Sequence, residues 1–366
     1  MSCGVSQFSS ELVDRIRRQG GVCEVSPSCT ILLPKAFGFC TGVNRAVTTL
    51  NDVVKEPDGG RPVWLLGAMI HNPAVNEAFA KAGVQISVSA DEVFDKATPH
   101  DTFVIPAFGL PLEQDRRLRG FVAEDGRIVD ATCPFVRRVW QEAEQAGNQG
   151  KAVIIHGKYG HQETYGIWSR AVSKAPACAL LSTVEEAKRF AEDRHALAPE
   201  RLFNAEKLAE CDWTLLNQTT MLSTETADIA EILRKASWHN GAVTMAGTLC
   251  PATRERQAAA QELCGRGCDA IIILGGTDSS NTTQLYRMAV ERVGAESCFF
   301  IQSAQDLQAG CVRHFQPFGQ RWASSSNGLL LKARRIGILT GASCPDSELE
   351  RLLKRLVELI NQCSDS

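Results

Sequence analysis

The sequence has little that a membrane protein needs. Its purely apolar runs, such as Ala270 to Leu274, fall far short of the roughly 20 residues that span a bilayer. It also lacks a surplus of basic charge, with 39 Lys and Arg against 42 Asp and Glu and a net charge of -3. Without a basic field, nucleic acid and anionic membrane are disfavoured as main partners, and an anionic ligand has to be met by local donors. Residues 1–29 hold no apolar core for a signal peptide, and Glu11 and Asp14 beside Arg15, Arg17 and Arg18 do not suit an acid-poor transit peptide. A C-x-x-C pair and a regular cysteine spacing are absent too. The 14 cysteines are scattered, which predicts reduced thiols and a cytoplasmic location.

What is present describes a globular chain. With 366 residues, 44% hydrophobic and 22% charged, there is enough apolar surface for two or three compact domains. Short β-branched runs recur at Thr30 to Leu33, Val63 to Leu66, Thr102 to Ala107, Arg127 to Ala131, Ala152 to His156, Trp213 to Leu216, Ala242 to Ala246, Ala270 to Leu274 and Arg335 to Leu339. Segments of helical spacing lie between them. The C-terminus is the clearest, with Leu349, Leu352, Leu353, Leu356 and Ile360 on one face. Strands that are continuously apolar, each followed by a helix, predict parallel sheets covered on both faces, an α/β fold. The stretch Phe315 to Leu331, with its Ser and Gly content, reads as a loop insertion.

In such sheets chemistry collects beyond the carboxyl ends of strands. Cys40, Cys133 and Cys250 each follow a predicted strand there, and in Cys133-Pro134 and Cys250-Pro251 the proline suits the first position of a helix. A sulfur at a helix start is favoured as thiolate, the form that binds soft metal centres. Taken singly, each is better explained as a small buried residue at a turn; three in the same context point to a shared site assembled between domains. Zinc sites bring paired ligands, and the nearest approach, Cys264 and Cys268, is interrupted by Gly265 and Gly267, which suggest a helix end. Spacing alone does not name the metal.

Further motifs stand in order along the chain. They are Gly38-Phe39-Cys40-Thr41-Gly42-Val43, Ile70-His71-Asn72-Pro73, Asp130-Ala131-Thr132-Cys133-Pro134, Gly160-His161-Gln162-Glu163-Thr164, Gln218-Thr219-Thr220, Asp278-Ser279-Ser280-Asn281 and Gly341-Ala342-Ser343. Together they resemble the LytB or IspH family, the 4-hydroxy-3-methylbut-2-enyl diphosphate reductases, from about Thr30 to Leu359. Pro106-Ala107-Phe108-Gly109, Ile155-His156-Gly157-Lys158-Tyr159 and Cys250-Pro251-Ala252-Thr253-Arg254-Glu255-Arg256-Gln257 are similar to the plant and cyanobacterial branch.

The resemblance implies three pseudo-symmetric parallel-sheet α/β domains in a trefoil-like arrangement around a central iron-sulfur cluster. The expected divisions are an extension at 1–28 and domains at 29–132, 133–247 and 248–366, with the opening strand of the first open to assignment to the third. It implies one 4Fe-4S cluster held by Cys40, Cys133 and Cys250, one iron being left without a protein ligand. Glu163 is the implied proton donor, with Thr219 orienting the substrate alcohol or relaying the proton. His71, His161, Thr219, Ser279, Ser280, Asn281 and Ser343 are the implied substrate contacts, and protonation of the two histidines would make diphosphate binding depend on pH. On the bland reading Glu163 is a solvated carboxylate at a helix start, His71 a core histidine, and Asp278-Ser279-Ser280-Asn281 a helix cap. The sequence departs from the common bacterial pattern at Phe108, where a histidine contacts the diphosphate, and Lys158 is a candidate substitute. Implied partners are the allylic diphosphate and a ferredoxin or flavodoxin donor, with the chain a monomer or homodimer. Two alternatives stay open: a non-catalytic iron-sulfur sensor on the same fold, and a reductase or dehydratase of another phosphorylated alcohol.

Overall fold

The structure, a computed structural model, describes residues 5–27, 29–56, 60–87 and 90–364; Cys3 lies outside them. Every expected strand is present. Three sheets carry them, and they share one four-strand topology. In the first, the spatial order is Gln85–Ser87, Val63–Leu66, Thr102–Ile105, Arg127–Asp130, all parallel. The second runs Cys178–Leu181, Ala152–His156, Trp213–Asn217, Val243–Met245, also parallel. The third runs Cys298–Ile301, Ala270–Leu274, Arg335–Thr340, Cys29–Leu32. Its fourth strand comes from near the N-terminus, so the opening strand pairs with the last strand of the chain.

Each order reverses once, between its second and third strands, and this is the switch point at which α/β sheets open a crevice for ligands. The strands read as they do because both faces are covered. Ile271, Ile272 and Ile273 are all fully buried, as are Ile154 and Ile155, so alternation has nothing to distinguish.

Contacts divide the chain into two compact units. One comprises residues 1–51, 70–78 and 251–366 and holds the third sheet; the other comprises 52–69 and 79–250 and holds the first two. In the former, Leu349, Leu352, Leu353, Leu356 and Ile360 of the helix Asp346–Ser364 are buried against Ile336 and Ile338 of the sheet. Residues ahead of 29 also belong to this body. The helix Glu11–Arg18 buries Val13 and Ile16 in the same core, and the strand Val22–Ser26 pairs antiparallel with Cys29–Leu32.

The loop expected at Phe315 to Leu331 is instead ordered secondary structure. Cys311–Gln316 and Arg321–Ser326 form an antiparallel hairpin, followed by the helix Gly328–Lys332. Ser324, Ser325 and Ser326 have weak strand preference, but the ladder to Cys311–Gln316 satisfies their backbone. Phe315 packs against Trp322 and Phe300, 5.6 and 5.7 Å away, and tertiary packing outweighs propensity. The break expected at Cys264 is present: the helix Pro251–Cys264 ends there and Gly267 takes a φ of +72°.

Candidate active site

The predicted residues fall on equivalent loops of the three sheets. A glycine follows each second strand, and four residues later come His71 after Gly67, His161 after Gly157 and Ser279 after Gly275. Helices begin at the same point: Pro73–Lys81, Gln162–Lys174 and Ser280–Val293. Their first turns are capped by side chains, which satisfy otherwise orphaned N–H groups. Asn72 Oδ1 accepts from Val75, His161 Nδ1 from Glu163 and Ser279 Oγ from Thr282, each at 3.2 Å. The expected helix cap at Ser279 is therefore real.

The cysteines form a second equivalent set. Cys40, Cys133 and Cys250 follow the fourth strand of their sheets and directly precede the helices Thr41–Lys55, Pro134–Asn148 and Pro251–Cys264. In every case the cysteine N–H donates to the loop after the third strand: Cys40 to the Ala342 carbonyl (3.2 Å), Cys133 to Ala107 (2.9 Å) and Cys250 to Thr219 (3.4 Å). Cys40 Sγ also accepts the Val43 N–H at 3.4 Å, in the first turn of its helix. Burial pushes the core thiols Cys178 and Cys298 up to about 12. Cys40, Cys133, Cys250, Cys178 and Cys298 are all thiols outside any disulfide. Among the described residues, no three His, Cys, Asp or Glu side chains are grouped to hold a single metal ion.

Glu163, Thr219 and His161 come together in the unit that holds the second sheet. The Glu163 carboxylate is 1% exposed rather than solvated. Its Oε1 accepts the Thr219 N–H at 2.7 Å and its Oε2 the Thr219 hydroxyl at 3.0 Å. Burial raises its pKa from 4.5 to about 7, and the two bonds from Thr219 offset only part of that desolvation. Because His161 Nδ1 accepts the Glu163 N–H, the neutral ring carries its proton on Nε2 and remains a donor; protonating it costs the cap. The Phe108 ring stands edge-on to His161, 5.6 Å between centroids at 80°.

Sequence reasoning missed how this loop is held. Gln218 is fully buried; its Oε1 accepts from the Lys158 N–H (3.0 Å) and the Thr164 hydroxyl (3.1 Å), and its Nε2 donates to Thr220. It ties the Glu163 loop to the Thr219 loop. The motif Gln218-Thr219-Thr220 contained the signal, but nothing in it specifies partners some 60 residues away.

In the other unit, Ser279, Ser280, Asn281 and Ser343 are buried together. Asn281 Oδ1 accepts the Ala342 N–H at 3.0 Å, while its Nδ2 is buried with no hydrogen-bond partner among the described residues. Ser343 Oγ donates to the His71 carbonyl at 3.0 Å, so it is the backbone of His71 that is placed beside Ser343. Gly276 permits this approach, since a Cβ there would overlap the same carbonyl.

Parallel sheets with thiols, a buried acid and an unsatisfied donor at their carboxyl ends define an α/β enzyme architecture. Comparison with known proteins makes this specific. The family model for LytB protein matches residues 31–357. The 4-hydroxy-3-methylbut-2-enyl diphosphate reductase of Thermosynechococcus vestitus is 32% identical, covering 96% of this chain and 90% of its own. That of Parasynechococcus marenigrum is 33% identical, covering 90% and 86%. Among solved structures, the E-1-hydroxy-2-methyl-but-2-enyl-4-diphosphate reductase from Plasmodium falciparum matches with a TM-score of 0.69 at 20% identity, over 88% of this chain and 86% of that one. A second reductase structure matches with a TM-score of 0.56 at 26% identity, over 90% and 99%. The chain belongs to the LytB family of 4-hydroxy-3-methylbut-2-enyl diphosphate reductases.

Proposed function

We propose that the chain replaces the hydroxyl of 4-hydroxy-3-methylbut-2-enyl diphosphate with hydrogen, giving isopentenyl and dimethylallyl diphosphates, the last step of the methylerythritol phosphate route. The observation that carries this reading is the buried Glu163 carboxyl, with a pKa of about 7 and both oxygens on Thr219. The C–O bond breaks, a C–H bond forms, two electrons and two protons enter, and water leaves. Hydroxide is a poor leaving group, so a proton must reach the departing oxygen. Glu163 carries one near neutral pH, and the Thr219 hydroxyl is its outlet.

Cys40, Cys133 and Cys250 are the thiolates that would hold a 4Fe-4S cluster. Three equivalent sulfurs at helix starts suit that group, and the core thiols, held protonated by burial, do not. When bound, the cluster supplies the electrons and Lewis acidity at the iron that no thiolate occupies, with a ferredoxin or flavodoxin as the source. On the substrate's other end, a diphosphate oxygen would satisfy the Asn281 Nδ2 donor, with His71, His161, Ser279, Ser280 and Ser343 adding contacts. No helix is long and apolar enough to cross a membrane among the described residues, which fits work in the cytoplasm. The test is anaerobic turnover of the cluster-loaded protein with this diphosphate and a chemical reductant. Both products should appear; a full cluster with no product would overturn the reading.

A further inference from the structure

The loop that carries Cys40 is fixed from several sides within its unit. The Gly38 N–H donates to Thr340 Oγ1 at 3.0 Å, and the Gly38 carbonyl accepts from Arg256 Nη2 at 2.5 Å. Gly38 takes a φ of +77°, and a Cβ on it would collide with the Asp346 carboxylate. That carboxylate therefore rests directly on the loop's Cα. It is held there by Arg17, whose Nη2 donates to Asp346 Oδ1 and Oδ2 at 3.0 and 2.8 Å. The same guanidinium lies 4.5 Å from the centre of the Phe37 ring, and the Phe8 ring packs 6.0 Å from that of Phe39. The residues on either side of Gly38 are thus gripped by residues from the N-terminal segment.

Arg17 sits on the helix Glu11–Arg18, ahead of the matched family region 31–357. Val13 and Ile16 anchor that helix in the core at 0% and 3% exposure, so Arg17 is presented from a rigid element. We infer that Arg17 is a positioning residue for Cys40: the N-terminal helix braces the Phe37-Gly38-Phe39-Cys40 loop through the Arg17–Asp346 pair and so sets the place of one cluster ligand. Supports behind a ligand tune how firmly it holds its metal, and a planar guanidinium is suited to grip a carboxylate and an aromatic face at once.

This rests on the reading that Cys40 ligates the cluster. The experiment is anaerobic reconstitution followed by challenge with an iron chelator, reading iron per chain and visible absorption over time. Arg17→Met keeps the length of the side chain and removes the grip; iron should be lost roughly 10-fold faster than from the wild type, in the range seen for residues behind metal ligands. Arg17→Lys restores the charge and should lie between. Electron paramagnetic resonance of the reduced cluster should shift in Arg17→Met. Phe315→Ala, a truncation in the same unit but in a different core cluster from Val13, Ile16 and Phe37, should lower the melting temperature and leave iron loss unchanged. Wild-type iron loss in Arg17→Met, or equal acceleration in Phe315→Ala, would overturn the brace. Cys40→Ser separates the two ideas: full iron retention there sinks the ligand assignment itself, whereas iron loss there with none in Arg17→Met sinks only the brace.

Discussion

Asn281 and Glu163 occupy the same place in two different sheets. Each lies six residues past the glycine that follows a switch-point strand, Gly275 and Gly157. Each uses a side-chain oxygen to accept the N–H of the second residue after the third strand, Ala342 for Asn281 and Thr219 for Glu163. They differ in the second polar atom. Thr219 brings a hydroxyl to Glu163 Oε2, whereas Ala342 has none, and Asn281 Nδ2 is left as a buried donor without a partner. One topology thus yields two chemistries: a carboxyl pushed up to about 7 that can give a proton, and an amide whose unmet hydrogen bond suits an anion.

The comparison extends to the cysteines, where the largest effect is expected. Their N–H groups make the same bond in all three sheets, so Cys40→Ser, Cys133→Ser and Cys250→Ser should each abolish or badly weaken cluster assembly. Cys178→Ala should not. Iron content and charge-transfer absorption after anaerobic reconstitution are the measurements, and unchanged loading in all three serine variants would break the equivalence.

Next in size is the proton. Glu163→Gln keeps the shape and an oxygen for the Thr219 N–H, with its amide nitrogen donating to the Thr219 hydroxyl instead of accepting from it, but it cannot ionise, so turnover should fall on the order of 100-fold to 10,000-fold with cluster content intact. In the wild type the acid is competent while protonated. The rate should therefore decline as pH rises through about 7, and the residual rate of Glu163→Gln should lack that limb. Near-normal turnover would move the proton to Thr219 or water.

Much of this was legible before the fold. Continuous apolar strands identified parallel sheets, and the Cys-Pro steps located two helix starts, because a proline and a strand end act locally. The strands Cys178–Leu181 and Cys298–Ile301 were not legible. Cys178-Ala179-Leu180-Leu181 carries no β-branched residue, and only its pairing with Ala152–His156 on one side and the short antiparallel strand Leu202–Phe203 on the other makes it a strand. In the site, residue types were readable but burial was not. Glu163 at a helix start has an ordinary solvated reading, and both its burial and the bonds from Thr219 that partly offset it come from residues distant in sequence. The role of Arg17 was hidden for the same reason, since Asp346 lies 329 residues further on.

The unusual acidity also costs stability, the third effect in size. A carboxyl whose folded pKa is raised from 4.5 to about 7 favours the native state below about pH 4.5, and that contribution is lost as pH rises through about 7, worth about 3 kcal/mol in all. Glu163→Gln has no charge to desolvate. Urea unfolding of the apoprotein should show it near the wild type at about pH 5 and more stable by up to about 3 kcal/mol at about pH 8.5. A constant difference across that range would mean that Glu163 ionises as an ordinary carboxyl. A variant that gains stability while losing turnover is the mark of a group kept for chemistry.

The smallest effect tests the other half of the comparison. If Asn281 Nδ2 meets a diphosphate oxygen, Asn281→Ala removes that donor and should weaken binding by roughly 1 to 3 kcal/mol. Loss of affinity alone does not separate contact from collapse of the loop, because alanine also drops the bond from the Ala342 N–H. Asn281→Asp does separate them. It keeps an oxygen for Ala342 and nearly the same volume, yet it turns the inward donor into an acceptor that bears charge. A structural role predicts that aspartate restores binding relative to alanine. An anion contact predicts the reverse, with aspartate binding more weakly than alanine and the gap narrowing at low pH as the carboxylate is protonated. Equilibrium titration of the oxidised protein with the diphosphate, at two pH values, reads the order directly. Aspartate at or above the affinity of alanine would place the diphosphate away from Asn281 and leave its unpaired amide without an explanation.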